Sequence, residues 1–271
     1  MKEIMYDYNS VLIVSALFIC MLFAMEIGFR SGRRKQASAT EAITQANAVL
    51  AAMLGLLALL LAFTFSAALQ RYENRSETVV AEANAIGTTY LRARLLPKGM
   101  PDEVQKLLRQ YLDVRIQDGR VDATEPELHE SLLHQAKLME AQLWSRAVKA
   151  AELDPGPATS GLFLQSLNEL IDTSSTRDAS LDRHVPEIVL FLMFATIVMT
   201  TGTLGYASGI AGHRVTLAAF VLVTLIALVV YLILDLDRPR RGAIQVNHES
   251  MLSLQQTIGA AQPGSQPDAA R

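Results

Sequence analysis

Four apolar runs divide the chain into two pairs, at residues 11–29 and 46–69, then at 188–210 and 215–236. Each holds about 19–24 residues, against the ~20 that an α-helix needs to cross ~30 Å of hydrocarbon. The pattern predicts four transmembrane helices. The first run is longer than the apolar core of a signal peptide, and its basic cluster, Arg30, Arg33, Arg34 and Lys35, follows rather than precedes it. It therefore reads as a retained membrane helix.

The second run continues as a helix after its apolar part ends. No proline interrupts the chain between Leu69 and Pro97, and Val79, Val80, Ala83, Gly87, Tyr90 and Leu91 recur at three- and four-residue spacing. Glu77, Glu82, Asn84 and Arg92 lie off that stripe. One helix is expected from about residue 46 to about 96, ~75 Å long at 1.5 Å per residue. Pro101 then opens a helix whose inward positions are Val104, Leu107, Leu108, Tyr111, Leu112 and Arg115, ending near Gly119. A further helix starts at Thr124-Glu125-Pro126-Glu127. It carries Leu128, Leu132, Ala136, Met139, Leu143, Ala147 and Ala151 on one face and stops at Asp154-Pro155-Gly156-Pro157. Another is expected around 162–172, with Phe163, Leu167, Leu170 and Ile171 facing inward. Residues 173–183 read as a polar connector to Pro186, which opens the third span, and the segment from about Gln262 reads as disordered.

No stretch carries the alternation of a strand. The expected fold is an all-α membrane protein: four transmembrane helices in two pairs, a helical extramembrane region between the second and third, and a second helix extended beyond the bilayer. The segments are 1–70, the first helix pair; 71–186, the helical cytoplasmic region; 187–237, the second pair; and 238–271, a cytoplasmic tail that is partly disordered.

Charge sets the orientation. If the termini and central region share one side, that side carries eight basic residues near membrane ends: Lys2, Arg71, Arg75, Arg177, Arg183, Arg238, Arg240 and Arg241. The opposite side carries five, Arg30, Arg33, Arg34, Lys35 and Arg214. The excess favours a cytoplasmic central region. A net charge of −3 gives no basic character that would point to nucleic acid.

Catalytic chemistry is hard to find. His129 and His134 flank a zincin-like stretch but are five residues apart, so their rings point about 140° away from each other on a helix rather than at one metal. Both read as solvated. The lone Cys20 makes no disulfide framework or zinc site. Gly202, Gly205, Gly209 and Gly212 fall at helical spacing and read as sites of close helix packing. Nothing indicates an enzyme or a cofactor.

The second span is more informative. Ala48, Ala51, Gly55, Ala58, Ala62 and Ser66 form a stripe of small residues, the mark of a tight helix seam, with Gly55, Leu59, Phe63 and Ala67 one turn apart beside it. Several copies around an axis would form a narrow apolar constriction of the kind that gates ions by dewetting. Arg71, Glu73, Arg75 and Glu77 follow at once: interfacial anchors in a monomer, stacked collars of charge in a ring. Asp235, Asp237 and Arg238 close the fourth span as a salt-bridged anchor, a dock for the Arg71–Glu77 stretch, or part of a cation site.

The segments RYENR from Arg71 and AEANAIGTTYLRARLLP from Ala81 to Pro97, with DLDRPRRG from Asp235, resemble the bestrophin-like domain family of bacterial membrane proteins. The resemblance covers nearly the whole chain. Its motif positions here are Glu82, Asn84, Gly87, Arg92, Asp235, Asp237, Arg238 and Pro239. More distant relatives, the bestrophins proper, are pentameric anion channels whose second helix lines a neck. The resemblance implies a homo-pentameric channel for chloride or other small anions, lined by Gly55, Leu59, Phe63 and Ser66, with Arg71, Glu73, Arg75 and Glu77 as entrance charges. The chain departs from that pattern in having Tyr72 where the relatives carry paired tryptophans, and in reducing their Ca²⁺-binding acidic run to Asp235 and Asp237. The competing reading is a non-conducting membrane scaffold or sensor whose helical region binds a partner.

Overall fold

The computed structural model describes residues 9–34, 40–122, 124–181, 183–213, 217–238 and 244–260. Among these the regular structure is entirely helical: α1 (Ser10–Arg33), α2 (Thr40–Arg92), α3 (Pro101–Arg120), α4 (Pro126–Leu153), α5 (Ser160–Leu181), α6 (Glu187–Ile210), α7 (Leu217–Leu236) and α8 (Glu249–Ala260). Four of them, α1, α2, α6 and α7, are long and apolar enough to cross a membrane. The chain forms two compact units, Met1–Tyr72 with His184–Ile244, and Glu73–Arg183 with Gln245–Arg271.

In the first unit α1 crosses α6 at very close range. Lipid gives apolar helices no hydrophobic reason to associate, so close approach and dispersion must hold them together. Small residues supply that approach. A Cβ on Gly28 would stand 2.0 Å from the Gly202 carbonyl oxygen, and one on Gly209 2.3 Å from that of Phe29. Gly205 and Gly209 thus confirm the expected packing role. Gly202 itself has ordinary clearance, 3.6 Å, and Gly212 serves as a left-handed helix stop at φ 76°. Leu17, Met21 and Met25 of α1, Leu190, Met193 and Ile197 of α6, and Val223, Val230 and Ile233 of α7 form the core. The apolar part of α2 joins that core through Leu57 and Ala68, with the Thr64 hydroxyl 3.5 Å from the Met193 sulfur.

In the second unit the polar continuation of α2 meets α3, α5 and α8, and α4 packs against α3 and α5. Pro101 sits in the first turn of α3, followed by Asp102 and Glu103, whose carboxylates suit a helix N-terminus. Val79, Ala83, Ile86, Val104, Leu108, Leu112, Leu132, Leu143, Phe163 and Leu167 are buried. One expectation fails here. Residues 173–181 are not a connector but the last turns of α5. Ser174 and Arg177 are buried there, so packing carries the helix on, and within it Thr173, Ser174, Thr176 and Ser180 satisfy their hydroxyls on carbonyls three or four residues earlier. Within the tail, α8 docks with Met251 and Ile258 buried. The disorder expected beyond Gln262 lies outside the described residues.

Candidate functional site

The candidate site follows α2, which is one continuous helix of 53 residues. Its ladder tolerates Gly55 and Gly87 because no proline removes a donor. Only a narrow side of the apolar part meets the first unit's core. The small-residue stripe Ala48, Ala51, Gly55, Ala58, Ala62 and Ser66 is exposed throughout, so it is no seam within one chain. Leu59 and Phe63 are 52% and 67% exposed, and nothing lies within 4 Å of where a Gly55 side chain would begin. The open face persists at seven-residue intervals through Val49, Leu56, Phe63, Gln70, Glu77, Asn84 and Leu91.

The four entrance charges separate. Glu73 and Glu77 are exposed. Arg71 is half-buried, and its guanidinium donates to the Ala67 carbonyl at 3.1 Å. Arg75 departs from its expected role: it is 1% exposed and donates to the carbonyls of Ser180 at 3.3 Å and Arg183 at 2.6 Å. Ser180 lies in the last turn of α5 and Arg183 just beyond it, and a cation there also complements the helix dipole. Glu77 borders an open cleft of about 560 Å³ whose walls carry Asn74, Thr78, Ser175, Thr176, Ser180 and Arg183.

One further turn along α2, Glu82 is fully buried. The apolar spacing leaves it off the stripe. Instead it accepts from Arg115 Nε at 2.6 Å and Arg177 Nη1 at 2.7 Å, and Arg115 continues to Asp178 at 2.8 Å. Burial alone would raise the Glu82 pKa. The two guanidiniums outweigh it and hold the carboxyl below the usual range. Tyr111 and Ser174 both donate to Glu140 beside this cluster, and Asp118 pairs with His129. His129 is thus a partner to a buried carboxylate rather than a solvated residue; His134 is exposed as expected.

Arg115 was legible only as an oddity, a charge at an inward position of an apolar series. A buried charge needs a partner, and that alone was the signal for Glu82. Arg177, in the supposed connector, gave no signal. Among the other motif residues, Gly87 leaves room for Leu254 of α8, Arg92 donates to the Leu162 carbonyl at 3.0 Å, and Asn84 is exposed. At the end of α7, Asp235 accepts the Ile244 amide at 3.0 Å and Asp237 the Val185 amide at 2.8 Å, while Arg238 is buried. These carboxylates tie down backbone, and among the described residues no cluster of acidic, His or Cys side chains could hold a metal. Pro239 lies outside the described residues.

The fold is shared with solved membrane proteins. A bacterial bestrophin homologue from Klebsiella pneumoniae superposes with a TM-score of 0.64 at 16% identity, over 92% of this chain and 96% of that one. Another membrane-protein crystal structure gives 0.62 at 15% identity, over 92% and 97%. No curated protein matches the sequence. The family model for the bestrophin-like domain matches residues 13–251, and the chain is a member of the bestrophin-like family.

Proposed function

We propose that the protein is a homo-oligomeric ion channel in which copies of α2 enclose the path. Gly55, Leu59, Phe63 and Ser66 line its narrow part, and Glu73 and Glu77 stand at its charged end. The observation that carries this reading is the open face of α2, which none of the described residues covers and which passes from small and apolar residues to carboxylates on one helix. One α2 cannot enclose anything, so the reading requires several copies. Five is the number the family resemblance implies, in the inner membrane of a bacterium and with the central region cytoplasmic.

Selectivity follows from the charges left facing outward. The preference for chloride or other small anions relied on Arg71 and Arg75. With Arg75 buried among carbonyls and Arg71 drawn back onto Ala67, the exposed charges on this stretch are Glu73 and Glu77. Rings of carboxylates favour cations. The geometry therefore supports a cation path over an anion path.

Reversal potentials of purified protein in planar bilayers under a KCl gradient test both points. The expected result is a current that reverses toward the cation potential and changes in size on Phe63→Ala. Absence of current, or a monomer by size in detergent, overturns the channel and leaves the scaffold reading. A reversal toward the chloride potential overturns the selectivity.

A further inference from the structure

We propose that His248 is a proton-operated latch that holds α8 against α3 and lets it go as the surrounding solution acidifies. The residue stands just before α8, and its carbonyl accepts the Leu252 amide in the first turn. Its Nε2 lies 2.8 Å from the Gly119 carbonyl at the end of α3. A carbonyl only accepts, so Nε2 carries the proton and Nδ1 of the neutral ring is a bare acceptor. That Nδ1 is buried and has no hydrogen-bond partner among the described residues.

Protonation would place a second N–H there, a buried donor with nothing to receive it. It would also set a positive ring beside Arg177. Both the Arg177 Nη2 and the His248 ring approach within 3.0 Å of the same point, the place a Gly119 Cβ would take. The other charged groups around the ring are Asp118 and Arg120 on α3, with Glu249 next in the chain. Asp118 would welcome a cation, but its Oδ1 already pairs with His129 and its Oδ2 stands 3.9 Å from the Arg115 guanidinium, which balances its charge.

Burial first, and Arg177 second, push the His248 pKa below the ordinary histidine value, against the Gly119 carbonyl and Asp118. Docked α8 therefore binds fewer protons than free α8. Docking is fully favoured above the ordinary value of about 6.5 and weakens as pH falls below it. Beyond this anchor, α8 is held by Met251 and Ile258, by Leu254 over Gly87, and by Gln255 donating to Asp113 at 2.7 Å. That is a small contact, which a change at its first residue can tip.

The test uses the full chain in lipid nanodiscs. Cys20→Ser removes the native thiol, and nitroxides at Gln110→Cys on α3 and Gln256→Cys on α8, both exposed, report their separation. One narrow distance is expected at about pH 7.5, with a broad component growing below about pH 6.5. The docked-to-free ratio should fall up to about tenfold for each unit by which docking lowers the pKa. His248→Gln keeps a donor for Gly119 without titrating, and should stay narrow throughout. A wild-type distance that stays narrow to about pH 5, or a His248→Gln chain that releases α8 in the same window, overturns the latch. If His248→Gln does not seat α8 at neutral pH, NMR titration of labelled histidines in the wild type decides. Release must then follow His248, and release that follows another histidine overturns the proposal.

Discussion

Gly205 packs onto Met25 so closely that a Cβ on the glycine would stand 2.0 Å from the Met25 carbonyl oxygen. The obstacle is backbone, which cannot step aside as a side chain can. Gly205→Ala should therefore separate α1 from α6 and destabilise the membrane unit by about 1–3 kcal/mol or more. Gly202→Ala, with 3.6 Å of clearance one turn away, should leave it nearly unchanged. Thermal melting of the two variants in the same detergent checks the contrast.

Removing the Glu82 side chain should be more damaging than its single charge suggests. Glu82→Ala leaves Arg115 and Arg177 buried without the carboxylate they share. Breaking such a pair from one side typically costs about 3–5 kcal/mol. Loss of the folded protein on size-exclusion chromatography, or a comparable fall in denaturant stability, is the expected result.

The same carboxylate makes a pH prediction. Its folded pKa is lowered, so the folded state holds the proton less tightly than the unfolded one. Its stabilising contribution is full above the ordinary glutamate value of about 4.3 and disappears as pH falls through the depressed one. Melting temperature should decline below about pH 4.3 in the wild type. The decline should be shallower in a Glu82→Gln variant.

Arg75 and Glu77 should behave as opposites although they stand only two positions apart. Arg75→Ala deprives the carbonyls of Ser180 and Arg183 of a buried donor and should lower stability by about 1–3 kcal/mol. Glu77 is exposed, so Glu77→Gln should leave melting within about 0.5 kcal/mol while shifting the reversal potential toward the anion side. Measuring both variants by melting and in bilayers separates the two roles.

Asp237→Ala should loosen the entry to α6, because it strands the buried Val185 amide that the carboxylate now receives. A cost of about 1–3 kcal/mol is expected for an amide left without an acceptor. Hydrogen exchange at Val185 reads it directly.

The spans were visible in the sequence because a membrane helix is a one-dimensional signal: enough apolar residues in a row, whatever lies beside them. The continuation of α2 and the starts at Pro101 and Pro126 were equally local. Polar helices were harder. Residues 173–181 look like a connector until Ser174 and Arg177 are seen to be buried, and α8 is short enough that only its docking holds it. The site divided along the same line. Which residues share a face of α2 follows from helical phase, so Gly55, Leu59, Phe63 and Glu77 could be grouped in advance. Whether a charge on that helix meets water or another chain segment depends on what packs there. Arg75 was misplaced, and Glu82 left off the stripe, for that reason alone.

The buried cluster of Glu82, Arg115, Arg177 and Asp178 also acts as a key for alignment. Apolar side chains can slide past one another by a methylene at little cost, so a greasy contact leaves the axial position of a helix loosely defined. Hydrogen bonds of 2.6–2.8 Å between forked ions have no such slack. They hold α2, α3 and α5 at one setting, as the notches of a key admit one depth of insertion. A chain in which all four were replaced by matched apolar residues could keep its stability and still lose the single register that places each carboxylate of α2 where it stands.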